Sequence, residues 1–143
     1  FVLQDYRGEV LLLFFGYTFC PDFCPVTLSK LGRVQELLGA RGDQVLLLFV
    51  TVDPQRDTPE QMRAYLSHFD FEIMGLRGSE SEIQSLVSMY GTSYRSGEAD
   101  EDGHYVVDHS SRTYLIDQQG AIRYLFGHAD TPAAMAAIVR KLL

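Results

Sequence analysis

The sequence predicts an α/β domain in which a central mixed β-sheet is flanked by helices on both faces. Two runs, residues 10–15 and 45–52, have strand length, are bounded by Gly or Pro, and are apolar rather than alternating, the pattern of parallel strands covered on both sides. Between them Val26, Leu28, Leu31, Val34, Leu37 and Leu38 recur at helical spacing, which makes a strand–helix–strand unit. The length of 143 residues suits one domain, large enough to bury about 68–70% of its unfolded surface.

Taken in order, Phe1-Val2-Leu3 reads as the middle of a strand, so the chain is expected to be a trimmed piece of something longer. After the first central strand, Pro25 suits the first position of a helix and Gly39 the residue past its end. The second central strand follows. Thr58-Pro59-Glu60-Gln61 combines an N-cap, a first-turn proline and a capping-box glutamine, opening a helix through Met62, Tyr65, Leu66 and Phe69. Residues 71–76 suit a short strand. Ser79 and Glu82 form a second capping box ahead of Ile83, Leu86, Val87 and Tyr90, and Gly91 ends that helix. Residues 92–107 are polar, with Glu98, Asp100, Glu101 and Asp102 between Gly97 and Gly103, which predicts a solvated loop or a hairpin. Strands at 113–116 and 121–126 flank the hairpin signal Asp117-Gln118-Gln119-Gly120, and Thr131-Pro132 opens an Ala-rich closing helix. No repeat or linker divides the chain, so residues 1–143 are expected to form a single domain.

The order βαβα, a short βα, a β-hairpin and a last helix fits a thioredoxin-like architecture best. Hydrophobic residues at 46% and charged residues at 22% argue against disorder and against disulfide-dense mini-scaffolds. Twelve Lys and Arg against nineteen Asp and Glu give a net charge of −7, the wrong sign for neutralising many phosphates, so no nucleic-acid partner is expected. The apolar runs are far shorter than the roughly 20 residues that span a bilayer.

The chain has two cysteines. Cys20-Pro21-Asp22-Phe23-Cys24 falls where the first central strand gives way to its helix, the edge at which open α/β sheets place their chemistry. A proline pushes the residue before it out of the α region, so Cys20 and Cys24 are both expected to be non-helical, with Cys24 as N-cap. There the helix dipole and unpaired N–H groups favour a thiolate. Thiolates are soft donors suited to Cu(I), zinc or iron–sulfur clusters, but two are too few for structural zinc. A plain disulfide, or two small buried apolar residues, explains a bare CxxxC equally well.

Gly16-Tyr17-Thr18-Phe19-Cys20-Pro21-Asp22-Phe23-Cys24-Pro25 resembles the signature of the Sco/SenC family of copper-delivery proteins. Val52-Asp53-Pro54-Gln55-Arg56-Asp57-Thr58-Pro59 resembles the family's second block. Tyr105-Val106-Val107-Asp108-His109-Ser110, with Tyr114-Leu115-Ile116-Asp117, resembles its third. Together the blocks cover nearly the whole chain in the family's order. The resemblance implies a thioredoxin-like fold and one copper ion, Cu(I) or Cu(II), held by Cys20, Cys24 and His109. It further implies that the usual membrane anchor and part of an N-terminal hairpin are missing from this chain.

Without the resemblance, His109 would be an ordinary surface or hydrogen-bonded histidine. Its place just before a predicted strand suits a metal ligand at the same sheet edge as Cys20, since neutral imidazole is a good copper donor. His68, His104 and His128 are expected to play no part in the site. Asp108 could orient His109. Asp22 reads as a turn residue, and Asp53 and Asp57 as structural residues of a loop at that same edge.

The resemblance therefore implies a metallochaperone that delivers copper to the CuA site of cytochrome c oxidase subunit II during oxidase assembly. Its partners would be subunit II, a thioredoxin-like reductant and other copper chaperones. The location would be extracytoplasmic, on the periplasmic side of a bacterial inner membrane or, alternatively, in the mitochondrial intermembrane space. A rival function is a thiol-disulfide oxidoreductase using the Cys20 and Cys24 pair. Relatives of the fold with that activity commonly carry CxxC and a loop proline, whereas this chain has CxxxC, no proline between Pro59 and Pro132, and His109 at the matching place. A third possibility is a copper-sensing module in which metal orders residues 92–108.

Overall fold

The computed structural model describes residues 3–19, 23–90, 94–96, 107–109 and 112–143, with the backbone alone at 3, 23–24, 94–96 and 107–109. In chain order the elements are β1 (Val10–Gly16), α1 (Phe23–Leu38), β2 (Val45–Thr51), α2 (Pro59–Leu66), β3 (Met74–Leu76), α3 (Glu80–Met89), β4 (Tyr94–Ser96), β5 (Val107–His109), β6 (Thr113–Ile116), β7 (Ile122–Phe126) and α4 (Pro132–Arg140). The main sheet runs β3-β2-β1-β6-β7, and β4 and β5 form a separate two-stranded ladder.

The two apolar runs do lie at the centre. β1 is buried at every position and pairs in parallel with β2, Val10 opposite Val45 through Gly16 opposite Thr51. On its other side β1 pairs antiparallel with β6, Phe14 opposite Thr113. The sheet is thus mixed, as expected. β1 to β2 and β2 to β3 step in the same direction across the sheet, so two right-handed crossovers put α1 and α2 on the same face. On that face a Cβ at Gly75 would lie 2.9 Å from Leu66 and Met62 of α2. Phe15 belongs to the opposite face, because successive side chains alternate. Its ring meets Tyr90, just past α3, and Tyr114 of β6, each at 5.9 Å. Completely burying side chains such as Leu12, Phe14, Leu47 and Phe49 stabilises the fold by about 1.5–3 kcal/mol each. α4 closes the structure alongside α1, where Arg140 donates to the carbonyl of Leu37.

Local signals explain most boundaries. Thr58, Ser79 and Thr131 accept the N3 amides of α2, α3 and α4, and the box of Ser79 and Glu82 is reciprocal. Asp117 and Gly120, the latter at φ +85°, make the turn between β6 and β7. The mid-helix Gly32 has a packing reason: a Cβ there would lie 2.2 Å from the Phe71 ring.

Several expectations are corrected. Leu3 opens a 3-10 turn, Leu3–Tyr6, rather than continuing a strand, and Tyr6 donates its hydroxyl toward Met74 at 3.9 Å. α2 stops at Leu66, because Phe69 leaves the helix to stack between Tyr65 and Phe71, 5.6 Å from each. Residues 71–76 yield three strand residues. Not among the corrections is the polar stretch expected as a loop or hairpin: at its ends β4 pairs antiparallel with β5, Tyr94 opposite His109, while residues 97–106, with the acidic 98–102, and Gly91 with its helix stop lie outside the described residues.

Candidate metal centre

The elements that carry the expected ligands start from one end of the sheet. β1 ends at Gly16, and the loop 16–19 leads toward α1. Phe23, the first residue of α1, lies within four residues of Phe19, hence no more than about 14 Å from it. β6 begins at Thr113, beside Phe14 of β1, and His109 ends β5 four residues earlier, within the same reach. A chain separation of 85 residues between Cys24 and His109, 109 less 24, is closed by the antiparallel pairing of β1 with β6.

Cys24 is the second residue of α1 and Pro25 the third, so the helix starts one residue before the expected N-cap. Both nevertheless stay in the first turn, whose amides have no intrahelical acceptor, so Pro25 forfeits no bond and the environment still favours an anion. The side chains of Cys24 and His109, and all of Cys20 and Asp22, lie outside the described residues. Asp108 is opposite Arg95 in the β4–β5 ladder.

What holds the loop is the second sequence block. Asp57 is fully buried at 0% exposure. Its carboxylate accepts the Thr18 amide at 3.0 Å, the Thr18 hydroxyl at 2.6 Å and the Thr51 hydroxyl at 2.6 Å. Gln61, expected to cap its own helix, instead donates to the Thr18 hydroxyl at 3.1 Å. Asp57 is itself fixed, its amide to the Asp53 carbonyl and its carbonyl by Arg77. Asp53 pairs with Arg56, and that guanidinium lies 4.8 Å from the Phe19 ring and 5.8 Å from Tyr17. The stack holds Phe19 at 46% exposure, and Val26 in α1 is 53% exposed, so apolar groups bracket the cysteine segment in sequence.

Asp53 and Asp57 are structural, as expected, but they secure more than their own turn. Thr18, Thr51, Gln61 and Arg77 escaped sequence reading, because nothing local in a threonine at a strand end tells which distant carboxylate it will meet. Of the remaining histidines, His68 and His128 are exposed, and His68 lies 3.3 Å from the Tyr65 carbonyl. His104 is outside the described residues. Among the described residues no three His, Cys, Asp or Glu side chains converge as a rival metal site.

Hollows among the described residues also lie elsewhere. One, of about 740 Å³, opens between α2 and β3 and has no cysteine or histidine in its lining. Another, of about 360 Å³, sits under α3 beside Tyr90. Burial, and secondly the nearby Tyr114, push the Tyr90 phenol above its ordinary 10.0, so it stays neutral at physiological pH. Neither lining supplies soft ligands beyond methionine.

Comparison with known proteins agrees with the fold. Residues 2–143 match the SCO1/SenC family. The chain is 38% identical over 135 residues to an SCO2-like protein of Rickettsia conorii, covering 94% of this chain and 66% of that protein. It is 37% identical over 139 residues to the mitochondrial SCO2 homolog of Homo sapiens, covering 96% and 52%. The chain therefore spans between about half and two thirds of the length of these curated relatives. Among solved structures, Bradyrhizobium japonicum ScoI with copper bound is similar at TM-score 0.89 and 37% identity, over 99% of this chain and 89% of that one. Yeast Sco1 with copper bound is similar at TM-score 0.90 and 31% identity, over 99% and 79%.

Proposed function

Because this chain belongs to the SCO1/SenC family, we propose that it carries one copper ion as cargo, bound by Cys20, Cys24 and His109, and hands it on during cytochrome c oxidase assembly. The observation that supports this most directly is the common sheet end from which α1, with Cys24, and β5, with His109, both lead. The donor set fits the ion: two thiolates and one imidazole are soft-to-borderline ligands that suit Cu(I). A three-ligand site with an open side lets an incoming thiolate bond to copper before a carrier ligand leaves, so the ion is never free. Transfer then follows relative affinity.

The recipient in this proposal is the CuA site of cytochrome c oxidase subunit II. Cys20 and Cys24 must be reduced and deprotonated and His109 neutral, so loading weakens on oxidation and at low pH. Working in an oxidising compartment, periplasmic or in the intermembrane space, therefore requires a thioredoxin-like reductant; other copper chaperones would supply the ion. No described helix is long and apolar enough to cross a membrane.

Titrating the reduced protein with Cu(I) against a competing chelator tests the proposal. One equivalent should bind, and the Cys20→Ser, Cys24→Ser double variant should lose tight binding. Unchanged affinity in that variant would sink the carrier function. If His109→Ala kept full physiological activity while either cysteine change abolished it, a thiol-disulfide oxidoreductase would replace it.

A further inference from the structure

We infer that Asp57 is the positioning residue of the copper-holding loop, setting how long the ion stays bound; this deepens the proposed copper carriage and rests on it. Two of the three hydrogen bonds received by its buried carboxylate come from a single residue, Thr18, 39 positions away and two before Cys20. One uses the backbone amide and the other the side-chain hydroxyl, so both the main chain and the Thr18 rotamer are held. The same hydroxyl accepts from Gln61, which occupies it on a second side. Asp57 is in turn anchored through its carbonyl to Arg77, just beyond β3. A continuous set of bonds thus runs from the far side of the sheet to the approach to Cys20.

Three donors converging on two oxygens require an acceptor-only group, which an ionised carboxylate is and an amide is not. In Asp57→Asn one carboxamide oxygen can serve the Thr18 amide and Thr51. The new NH2 then faces the Thr18 hydroxyl, which can accept from it but whose own proton loses its acceptor. The loop is thereby held more weakly, by neutral in place of charge-assisted bonds and with one donor lost, with almost no change of volume. A released loop must be ordered again each time copper binds, and it lets a sulfur ligand swing away without an incoming partner. Outer groups that orient metal ligands typically alter affinity by about 10–100-fold.

The test measures Cu(I) dissociation into excess chelator, together with hydrogen exchange at the Thr18 amide in the copper-free protein. Asp57→Asn should speed copper dissociation by about tenfold or more, and should speed Thr18 amide exchange because a neutral carboxamide oxygen is a weaker acceptor than a carboxylate oxygen. Thr51→Val is the control. It removes one bond to Asp57 and should lower stability, but it leaves both Thr18 bonds and should leave copper dissociation within about twofold of wild type. Should Asp57→Asn fail to fold, Thr18→Val, which loses the hydroxyl bonds but keeps the amide bond, takes its place with the same expectation for copper dissociation. Wild-type dissociation in the Asn variant overturns the inference, as does acceleration in Thr51→Val to the extent seen for Asp57→Asn. If the wild-type protein takes no copper, the carrier function fails instead, and faster Thr18 exchange in Asp57→Asn alone would still establish the loop anchor.

Discussion

The carboxylate of Asp117, at the turn between β6 and β7, and that of Asp57, beyond the opposite end of the sheet's central strands, both gather hydrogen-bond donors, but from different distances along the chain. Asp117 accepts the amides of Gln119 and Ala121 at 3.0 and 2.9 Å and the Arg123 guanidinium at 3.2 Å, all within six residues. Asp57 reaches Thr18 on another element, 39 residues away. The Asp117 turn can form as soon as its hairpin does, at little loop-closure cost. The Asp57 bonds to Thr18 require β1 and β2 already side by side, so they report on, and reinforce, the assembled sheet. One carboxylate shapes a turn, while the other joins the second sequence block to the first.

The largest expected effect is on the long-range side. Replacing Asp57 with Ala leaves two buried hydroxyls and an amide without their acceptor, and should destabilise the protein by about 3–5 kcal/mol in urea unfolding. A loss below about 1 kcal/mol would show that water substitutes freely, erasing the contrast with Asp117. Gly32→Ala probes another contact between distant elements. Helix propensity alone predicts a gain of about 1 kcal/mol, but the clash with Phe71 should cost about 1–3 kcal/mol and turn the sum to a net loss. A raised melting temperature would mean that the Phe71 ring swings aside.

Local devices should give smaller changes. Ser79→Ala removes a reciprocal cap and should cost about 1 kcal/mol, with copper binding untouched. Any large change in copper affinity there would break the separation of local from long-range support. The smallest effect concerns pH. The Ala121 amide above all, with Arg123 and the Gln119 amide assisting against the opposing effect of burial, holds the Asp117 carboxyl below its ordinary 3.8. The folded state then binds fewer protons than the unfolded one around that pH, so this stabilisation is complete above 3.8 and fades as pH falls through the lower folded value. Acid titration of stability should therefore be shallower for Asp117→Asn than for wild type between about pH 4 and pH 2. Identical slopes would remove Asp117 as a source of that pH dependence.

The same contrast governs what could be read before folding. The buried runs of β1 and β2, the caps at Thr58, Ser79 and Thr131, and the turn at Asp117 rest on residues within a few positions of one another, and all were legible. The strand reading failed at Leu3, the one residue of its triplet that the structure describes, because a short apolar run has no period and a 3-10 turn, Leu3–Tyr6, can start on it as well as a strand can. Gln61 misled because the capping-box pattern names a residue that can reach back, and a better-placed hydroxyl, that of Thr18, took its amide instead. The copper-ligand candidates came from three sequence blocks whose resemblance to a known family supplied what spacing could not.

Sequence alone determined the α/β class, the order of the main-sheet strands and the helices, the acidic charge and the presence of two soft sulfur donors, because those follow from periodicity, composition and side-chain chemistry. Tertiary structure decided that the loop after β1 hangs on Asp57, that Arg56 lies over Phe19, and that the segments bearing Cys24 and His109 depart from one end of the sheet. Those facts depend on which strands pair. Pairing is settled by the summed burial of a whole core, so no short stretch of the chain contains it.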